Sequence, residues 1–345
     1  MNNTLKAYTF NSPEYIPISL NLSHSVYQYN DPERVQDEML RHKRLFPGYV
    51  KKPYTEPVHA PYRRKGRYID SWGVEWETAE NGITGAAVRH PLSDMSKIYD
   101  FAPPSAAEHN GWEPVDWKAV IKNIKANKES GCMTHMSLRH GFMFLTLTYL
   151  RGFEDFMCDL YDETPEIWRL IEIVEKFNAD YLELCLILSP DIMGFPEDLG
   201  AQANSILSPE FFRKFIKPSY KRLMGRAKSA GALIHMHSDG YILNLTDDLI
   251  DCGVDVINLQ DLINGIDNIK KQLQGRVAVD LDIDRQNITV FGTPKDIDGH
   301  IREIVEKLGD KRGGLSLRAD LYGNIPFGNI KALMDTLEKY SEIKH

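Results

Sequence analysis

From residue 140 onward, short apolar runs alternate with longer stretches whose apolar residues lie three and four positions apart. The short runs predict buried strands, and the longer stretches predict amphipathic helices. Strands that alternate with helices over short connections predict a parallel α/β sheet. The predicted strands are Phe142–Thr148, Asp191–Phe195, Ala232–Met236, Val254–Leu259, Val277–Ile283 and Leu315–Ala319.

The helix boundaries carry local signals. A hydroxyl residue followed by proline predicts a helix start, because the hydroxyl can accept a free backbone N–H and proline needs no donor there. A glycine before an apolar run predicts a helix end in the left-handed conformation. The starts are Thr164-Pro165, Ser208-Pro209 and Thr293-Pro294, and the ends are Gly231, Gly253, Gly275 and Gly313.

Polar side chains follow several predicted strands at their C-terminal ends. In a (β/α)8 barrel those ends form the catalytic mouth, whereas an open doubly wound sheet usually carries a glycine-rich first loop, which is absent here. We therefore predict a (β/α)8 TIM barrel, mainly formed by residues 131–345. The polar residues are Glu197, Asp198, His237, Asp239, Asn258, Gln260, Asp282, Asp284, Arg318 and Asp320.

Residues 1–130 are more irregular and rich in proline and aromatic residues, with one predicted helical stretch near Pro32–Phe46. We expect them to form an N-terminal extension that caps the barrel within a single structural domain. Nine basic residues lie between Arg41 and Arg67, including Arg63, Arg64 and Arg67. They could contact an anionic ligand or an acidic partner, or form a solvated face.

The segment Gly231–Gly240 gives the sharpest chemical signal. Because side chains alternate along a strand, His235, His237 and Asp239 are predicted to share one face, and Gly240 ends the strand. Two imidazoles and a carboxylate suit metal binding or acid–base chemistry. His235 lies earlier in the strand and is expected to be a hydrogen-bonded core residue, whereas His237 and Asp239 are candidate functional residues.

Composition narrows the function classes. The formal net charge of −8 argues against nucleic acid as the main partner, and no apolar run is long enough to span a membrane. No secretory signal is apparent, and the four cysteines are far apart, so a cytoplasmic protein with free thiols is expected.

Several segments together resemble the uroporphyrinogen decarboxylase superfamily, and in particular its corrinoid-dependent methyltransferases. The resemblance runs over about 250 residues, and it implies a (β/α)8 barrel. It rests on Asp70–Trp76, His90–Leu92, Tyr149–Glu154, Glu197–Gly200, His237–Gly240, Asp282–Gln286 and Gly292–Pro294.

Departures from the family pattern point to a subfamily. The arginine-rich N-terminal segment of true uroporphyrinogen decarboxylases has no counterpart, since Pro61–Arg67 is basic but differently built. The family's coenzyme M methyltransferases bind zinc through His-x-Cys and a cysteine on the last strand. Here Asp239 replaces the first cysteine, and Leu315–Asp320 contains none. A site rich in oxygen ligands suits a substrate that leaves as an oxyanion better than a thiol that attacks.

The resemblance thus implies an O-demethylase type of methyltransferase, which moves a methyl group from a methoxylated aromatic to the cobalt of a separate corrinoid protein. The implied metal, Zn²⁺, is expected on His237, Asp239 and Glu197. Asp198 joins these three as a candidate catalytic residue, and Asp282 is a second choice as ligand or orienting residue. The substrate-binding candidates are Asp70, Trp72, Trp76, Asp282 and Arg318.

Three alternatives remain open at this level. The protein could be a metal-independent decarboxylase or lyase of a small carboxylic acid, or a non-catalytic binder of a corrinoid protein. The carboxylates Glu197, Asp198 and Asp282 could also be structural caps of the helices that follow their strands.

Overall fold

The computed structural model describes residues 2–342 and contains two compact units. The first unit joins Met1–Val58 to Val256–His345, and the second is His59–Asp255. No helix of the described residues combines the length and the apolar character needed to cross a lipid bilayer.

The strands are β1 (Ile18–Leu22), β2 (Gly66–Ile69), β3 (Glu75–Thr78), β4 (Ala86–Arg89), β5 (His135–Ser137), β6 (Ile192–Glu197), β7 (Leu233–Ser238), β8 (Val256–Gln260), β9 (Ala278–Asp282) and β10 (Leu315–Leu321). The helices are α1 (Asn3–Tyr8), α2 (His24–Tyr29), α3 (Pro32–Arg41), α4 (Trp117–Glu129), α5 (Phe144–Arg151), α6 (Phe153–Asp162), α7 (Pro165–Leu186), α8 (Pro209–Phe211), α9 (Lys217–Ser229), α10 (Thr246–Asp251), α11 (Asp261–Asn264), α12 (Ile266–Leu273), α13 (Ile288–Phe291), α14 (Pro294–Leu308) and α15 (Phe327–Tyr340).

The first unit is built on four strands in the order β1-β10-β9-β8, and all three neighbouring pairs are parallel. Every residue of β9 is buried, as expected of a strand with neighbours on both sides and apolar layers on both faces. Helices α14 and α15 pack against each other in this unit.

The second unit contains the parallel strands β7-β6-β5 and a separate antiparallel sheet, β2-β3-β4. The long helix α7 buries an apolar stripe, with Leu170, Val174 and Phe177 at most 3% exposed. Within the described residues, seven strands (β1 and β5–β10) belong to parallel pairings. This α/β architecture is of the TIM-barrel-like kind that the sequence predicts.

The local signals at helix boundaries are confirmed with one exception. Helices begin at Pro165, Pro209 and Pro294. Thr293 and Asp296 form a reciprocal capping box at the third of these starts. Gly231, Gly253 and Gly275 directly follow the ends of α9, α10 and α12 and have positive φ, as predicted. The prediction for Gly313 is wrong: α14 ends at Leu308 with Gly309 as its C-cap, and Gly313 takes its positive φ in the connection before β10.

One predicted strand is wrong. Phe142–Thr148 does not form a strand, because residues from Phe144 onward are helix α5 and the neighbouring strand is the earlier β5, His135–Ser137. A short apolar run with aromatic residues has no periodicity that separates a buried strand from a buried helix. Here the buried carboxylate of Glu197 receives the first free N–H groups of the helix and favours the helical state.

Residues 1–130 contain more regular structure than one helix. Helix α3 starts at Pro32 within the predicted stretch, α4 spans thirteen residues, and β1 pairs in parallel with β10. The capping of a barrel mouth by these residues stays a prediction.

Candidate metal centre

Strand β7 carries the histidines as the sequence predicts. Ile234, Met236 and Ser238 are fully buried, while His235 and His237 alternate with them on the other face and are partly exposed. The ring of His235 meets that of His135 edge to face, with centroids 6.5 Å apart. Asp239 follows immediately after the strand, so His237 and Asp239 lie at its C-terminal end.

The turns after β6 and β7 are held together through their backbones. Gly240 has φ +79°, and a Cβ atom built on Gly200 would lie 2.5 Å from the carbonyl carbon of Gly240. Gly200 N–H donates to the Asp239 carbonyl at 3.2 Å, and Tyr241 N–H donates to the Ala201 carbonyl at 2.8 Å. This contact fixes Asp198 and Asp239 relative to each other.

Three side chains converge here: His140, Asp198 and His237, with possible ligand atoms all within 4.8 Å of one another. Asp198 Oδ1 lies 3.4 Å from His140 Nε2 and 3.8 Å from His237 Nε2. Ligand atoms in a tetrahedral zinc site lie about 3.4 Å apart, given bonds of about 2.0–2.1 Å. The cluster therefore fits a small divalent metal once its ligand atoms move slightly closer together.

Two further features of the cluster favour metal chemistry over a structural ion pair. Its side chains remain open to ligands, with exposed fractions of 46% for His140, 31% for Asp198 and 22% for His237. Two imidazoles and one carboxylate are also the ligand set of several catalytic zinc sites, which keep a position free for water or substrate. The set contains no sulfur ligand.

The electrostatics of the triad favour a charged carboxylate at its centre. Burial by itself raises the pKa of Asp198, but the hydrogen bond and charge of His140, together with the charge of His237, bring that pKa below its ordinary value. Burial lowers the pKa of His140, and the hydrogen bond and charge of Asp198 outweigh burial and raise it. An ionised carboxylate is the form that a metal requires.

Asp239 is adjacent to the triad. Its Oδ1 lies 3.8 Å from His237 Nε2, and its backbone N–H donates to Asp198 Oδ1 at 3.2 Å. Asp239 can therefore orient His237 or supply a further oxygen ligand.

Glu197 is completely buried and is not among the converging ligand atoms of the triad. It accepts the backbone N–H groups of Met143, Phe144 and Leu145 at 2.7–3.1 Å, and the Tyr220 hydroxyl donates to it at 3.2 Å. Burial raises the pKa of Glu197 to about 7, against the effect of these backbone donors. The carboxylate thereby holds the loop between β5 and α5, which carries His140.

The segment Asp70–Trp76, which contains three of the predicted substrate-binding residues, forms a tight turn around Asp70. The Asp70 carboxylate accepts the backbone N–H groups of Trp72 and Val74 and the indole N–H of Trp76, at 2.9–3.0 Å. Trp72 and Trp76 are buried. Burial raises the pKa of Asp70.

The remaining predicted residues belong to the first unit. Asp282 is 2% exposed and is hydrogen-bonded by Arg285. Arg318 Nε donates to Asp280 at 3.3 Å, and Asp280 also accepts the Ser316 hydroxyl at 2.6 Å.

Much of the predicted basic region is neutralised locally. Arg67 pairs with Glu75 at 3.0 Å and lies 3.5 Å from Glu77, and Lys51 pairs with Glu33 and Asp37. These ion pairs favour a solvated face, and not a ligand contact, for Arg67 and Lys51.

Sequence reasoning missed His140. It lies three residues after β5, in Ser137-Leu138-Arg139-His140-Gly141, where a polar residue follows a strand and precedes a glycine of positive φ. The same signal identified His237 and Asp239. Placing the strand at Phe142–Thr148 put His140 before a strand instead of after one.

Comparison with known proteins identifies a family and several similar structures. The model of the family "Uroporphyrinogen decarboxylase (URO-D)" matches residues 73–340. A methyltransferase from Methanosarcina mazei has a similar structure, with TM-score 0.68 and 16% identity over 98% of each chain. A B12-independent methionine synthase from Shewanella sp. W3-18-1 aligns over 64% of this chain and 65% of its own, with TM-score 0.44 and 11% identity. No curated protein sequence matches the chain.

Proposed function

Because the chain belongs to the uroporphyrinogen decarboxylase family, and its fold is that of a methyltransferase, we propose that it transfers a methyl group from a methoxylated aromatic compound to the cobalt of a separate corrinoid protein. The proposal includes a closed (β/α)8 barrel as the scaffold. The observation that carries it is the partly exposed His140–Asp198–His237 cluster at the C-terminal ends of neighbouring strands.

The set of metal ligands favours a substrate whose leaving group is an oxyanion. An aryl methyl ether reacts poorly because its leaving group is a phenoxide, and a bound Zn²⁺ would act as a Lewis acid at the ether oxygen. His140, Asp198 and His237 would hold the ion. A thiol substrate would be better served by soft cysteine ligands, but Cys132, Cys158, Cys185 and Cys252 all lie outside the triad.

The protein's own residues then have three tasks in this proposal. The triad holds the metal, Asp239 orients His237, and Glu197 fixes the loop that positions His140. The nucleophile is the reduced cobalt of the partner, so the chain needs no nucleophilic side chain. Arg63 and Arg64 are candidates for the rim that meets the corrinoid protein, whereas Arg67 is already paired with Glu75.

The test is a methyl-transfer assay. Purified protein loaded with Zn²⁺ is mixed with reduced corrinoid and a panel of phenyl methyl ethers, methylamines and methanol, and methylcobalamin is followed by absorbance. We expect activity with ethers, none without the corrinoid, and a loss of at least 100-fold in Asp198→Asn. The matched control is Glu210→Gln, an exposed carboxylate on α8. Release of CO2 from a small carboxylic acid without any corrinoid would overturn the proposal in favour of a decarboxylase.

A further inference from the structure

Arg139 is a buried cation without a counter-ion in contact. It is 6% exposed, and its guanidinium lies 4.1 Å from the centre of the Trp112 ring. Its one hydrogen bond within residues 2–342 runs from Nη1 to the Gly111 carbonyl, at 2.7 Å, and the fully buried Nε has no acceptor. A guanidinium offers five N–H donors, and burying its charge unpaired costs several kcal/mol.

Asp70 does not serve as the counter-ion of Arg139. Its charge acts on Arg139 from beyond ion-pair distance, and both of its oxygens already accept hydrogen bonds from the turn that contains Trp72 and Trp76. No carboxylate of the described residues forms an ion pair with Arg139.

A second buried donor lies beside the arginine. The indole Nε1 of Trp72 has no hydrogen-bond partner, and the residue is 3% exposed. A Cβ atom built on Gly111 would lie 3.1 Å from Arg139 Nη1 and 3.2 Å from Trp72 Nε1. The two donor nitrogens thus lie beside the same point of the backbone. The lack of a side chain on Gly111, whose φ is +98°, makes room for Arg139, since an added Cβ would lie 2.6 Å from Arg139 Cδ.

We propose that Arg139 and the indole N–H of Trp72 form the binding site for a carboxylate group of the substrate, so that the methyl donor is an aromatic acid. A guanidinium and a carboxylate match as two parallel hydrogen bonds. The identification of the acid as methyl donor rests on the proposed function, whereas the anion site itself rests on the two unpaired donors.

The surroundings suit an aromatic ring next to the anion. Trp112 stacks on Tyr62 at 5.1 Å and contacts Trp76 at 4.7 Å, and Trp76 meets Tyr149 edge to face at 4.7 Å. Such a wall offers planar apolar surfaces and excludes water, which strengthens the charge pair.

The anion site is close to the metal centre. Arg139 immediately precedes His140 in the chain, on the loop that Glu197 holds. The charges of Glu197, Asp198 and Arg139 all act on the phenol of Tyr149. The proposed anion site and the metal ligand His140 therefore belong to the same loop.

The experiment measures binding and requires no turnover. The affinities of 4-methoxybenzoate and of its neutral isostere 4-methoxybenzamide are measured by isothermal titration calorimetry. We expect the zinc-loaded protein to bind the acid at least tenfold more tightly than the amide. Arg139→Lys should weaken acid binding tenfold or more and amide binding much less, because lysine cannot form the bidentate pair that only the carboxylate accepts. Arg169→Lys, at an exposed arginine of α7, is the matched control.

Trp72→Phe removes the N–H and keeps a smaller aromatic ring in the core, so it serves if Arg139→Lys unfolds, as judged by thermal melting. It should weaken acid binding about threefold to tenfold. Equal affinity for acid and amide, no acid binding, or unchanged acid binding in both variants would overturn the site. Selective acid binding without methyl transfer to corrinoid would instead contradict only the proposed function.

Discussion

The backbone of Gly200 lies directly against the backbone of Gly240, with no room for a β-carbon between them. This contact joins the turn that follows Asp198 to the turn that follows Asp239. Two parts of the metal centre, 41 residues apart in sequence, are thereby held in one geometry.

Gly240→Ala is expected to disturb that geometry, since the residue has positive φ and its new methyl group would meet Gly200. Stability should fall by about 1–3 kcal/mol, and zinc affinity should fall with it. Chemical denaturation and a competitive zinc titration measure the two effects. Gly225→Ala, on α9 with nothing near the added atom, is the control and should be neutral or slightly stabilising, because alanine favours the helix. An unchanged zinc affinity in Gly240→Ala would show that the turns do not set the site.

Single substitutions can show which of the candidate residues bind the metal. His140→Ala and His237→Ala should each abolish stoichiometric zinc in elemental analysis, because each removes one of three ligands. Glu197→Gln should retain zinc, since this side chain faces the start of α5. Zinc retained by His140→Ala and lost from Glu197→Gln would instead support the ligand set expected from sequence: His237, Asp239 and Glu197.

Glu197→Ala should be among the most destabilising single substitutions in the second unit. It leaves three buried backbone N–H groups without an acceptor at the start of α5, and we expect a loss of about 3–5 kcal/mol in denaturant unfolding. The exposed Glu210→Ala should change stability by less than about 0.5 kcal/mol. A small effect of Glu197→Ala would mean that other groups or water satisfy these donors.

Asp248 supports the junction between α9 and α10. It is nearly buried, and it accepts hydrogen bonds from Arg213 Nε at 2.9 Å and Lys217 Nζ at 2.8 Å. Burial raises the pKa of Asp248, and these two cations outweigh burial and lower it. Because the folded pKa is below the unfolded one, this stabilisation is present at neutral pH and is lost as pH falls through the folded pKa.

Asp248→Asn should therefore cost about 1–3 kcal/mol at pH 7, and its deficit relative to wild type should shrink in acid. Urea unfolding between pH 7 and pH 3 measures this. Glu210→Gln, without buried partners, should show no such convergence. A deficit that stays constant with pH would contradict the ion-pair explanation.

The sequence was informative where a local rule determines the outcome. Periodicity and helix-start signals placed β7, α7 and α14 correctly, and strand alternation placed His237 and Asp239. His140 and Arg139 were missed because their strand is only three residues long and the following apolar run is ambiguous. The role of Glu197 depends on its contact with a loop some 50 residues earlier, which no local pattern encodes. Its residue type suggested chemistry, while the contacts indicate the anchoring of a helix.

The parallel pairing of β1 with β10 has a consequence for how the chain folds. Residues 18–22 leave the ribosome well before their partners at 317–321, which follow 299 residues later in the chain. The second unit is one continuous segment, so its own contacts can form while the first unit still waits for its final strand. During that interval β1 has an unpaired backbone that is open to aggregation. Chains truncated before Leu315 should therefore be insoluble even though every residue of the metal centre has been synthesised.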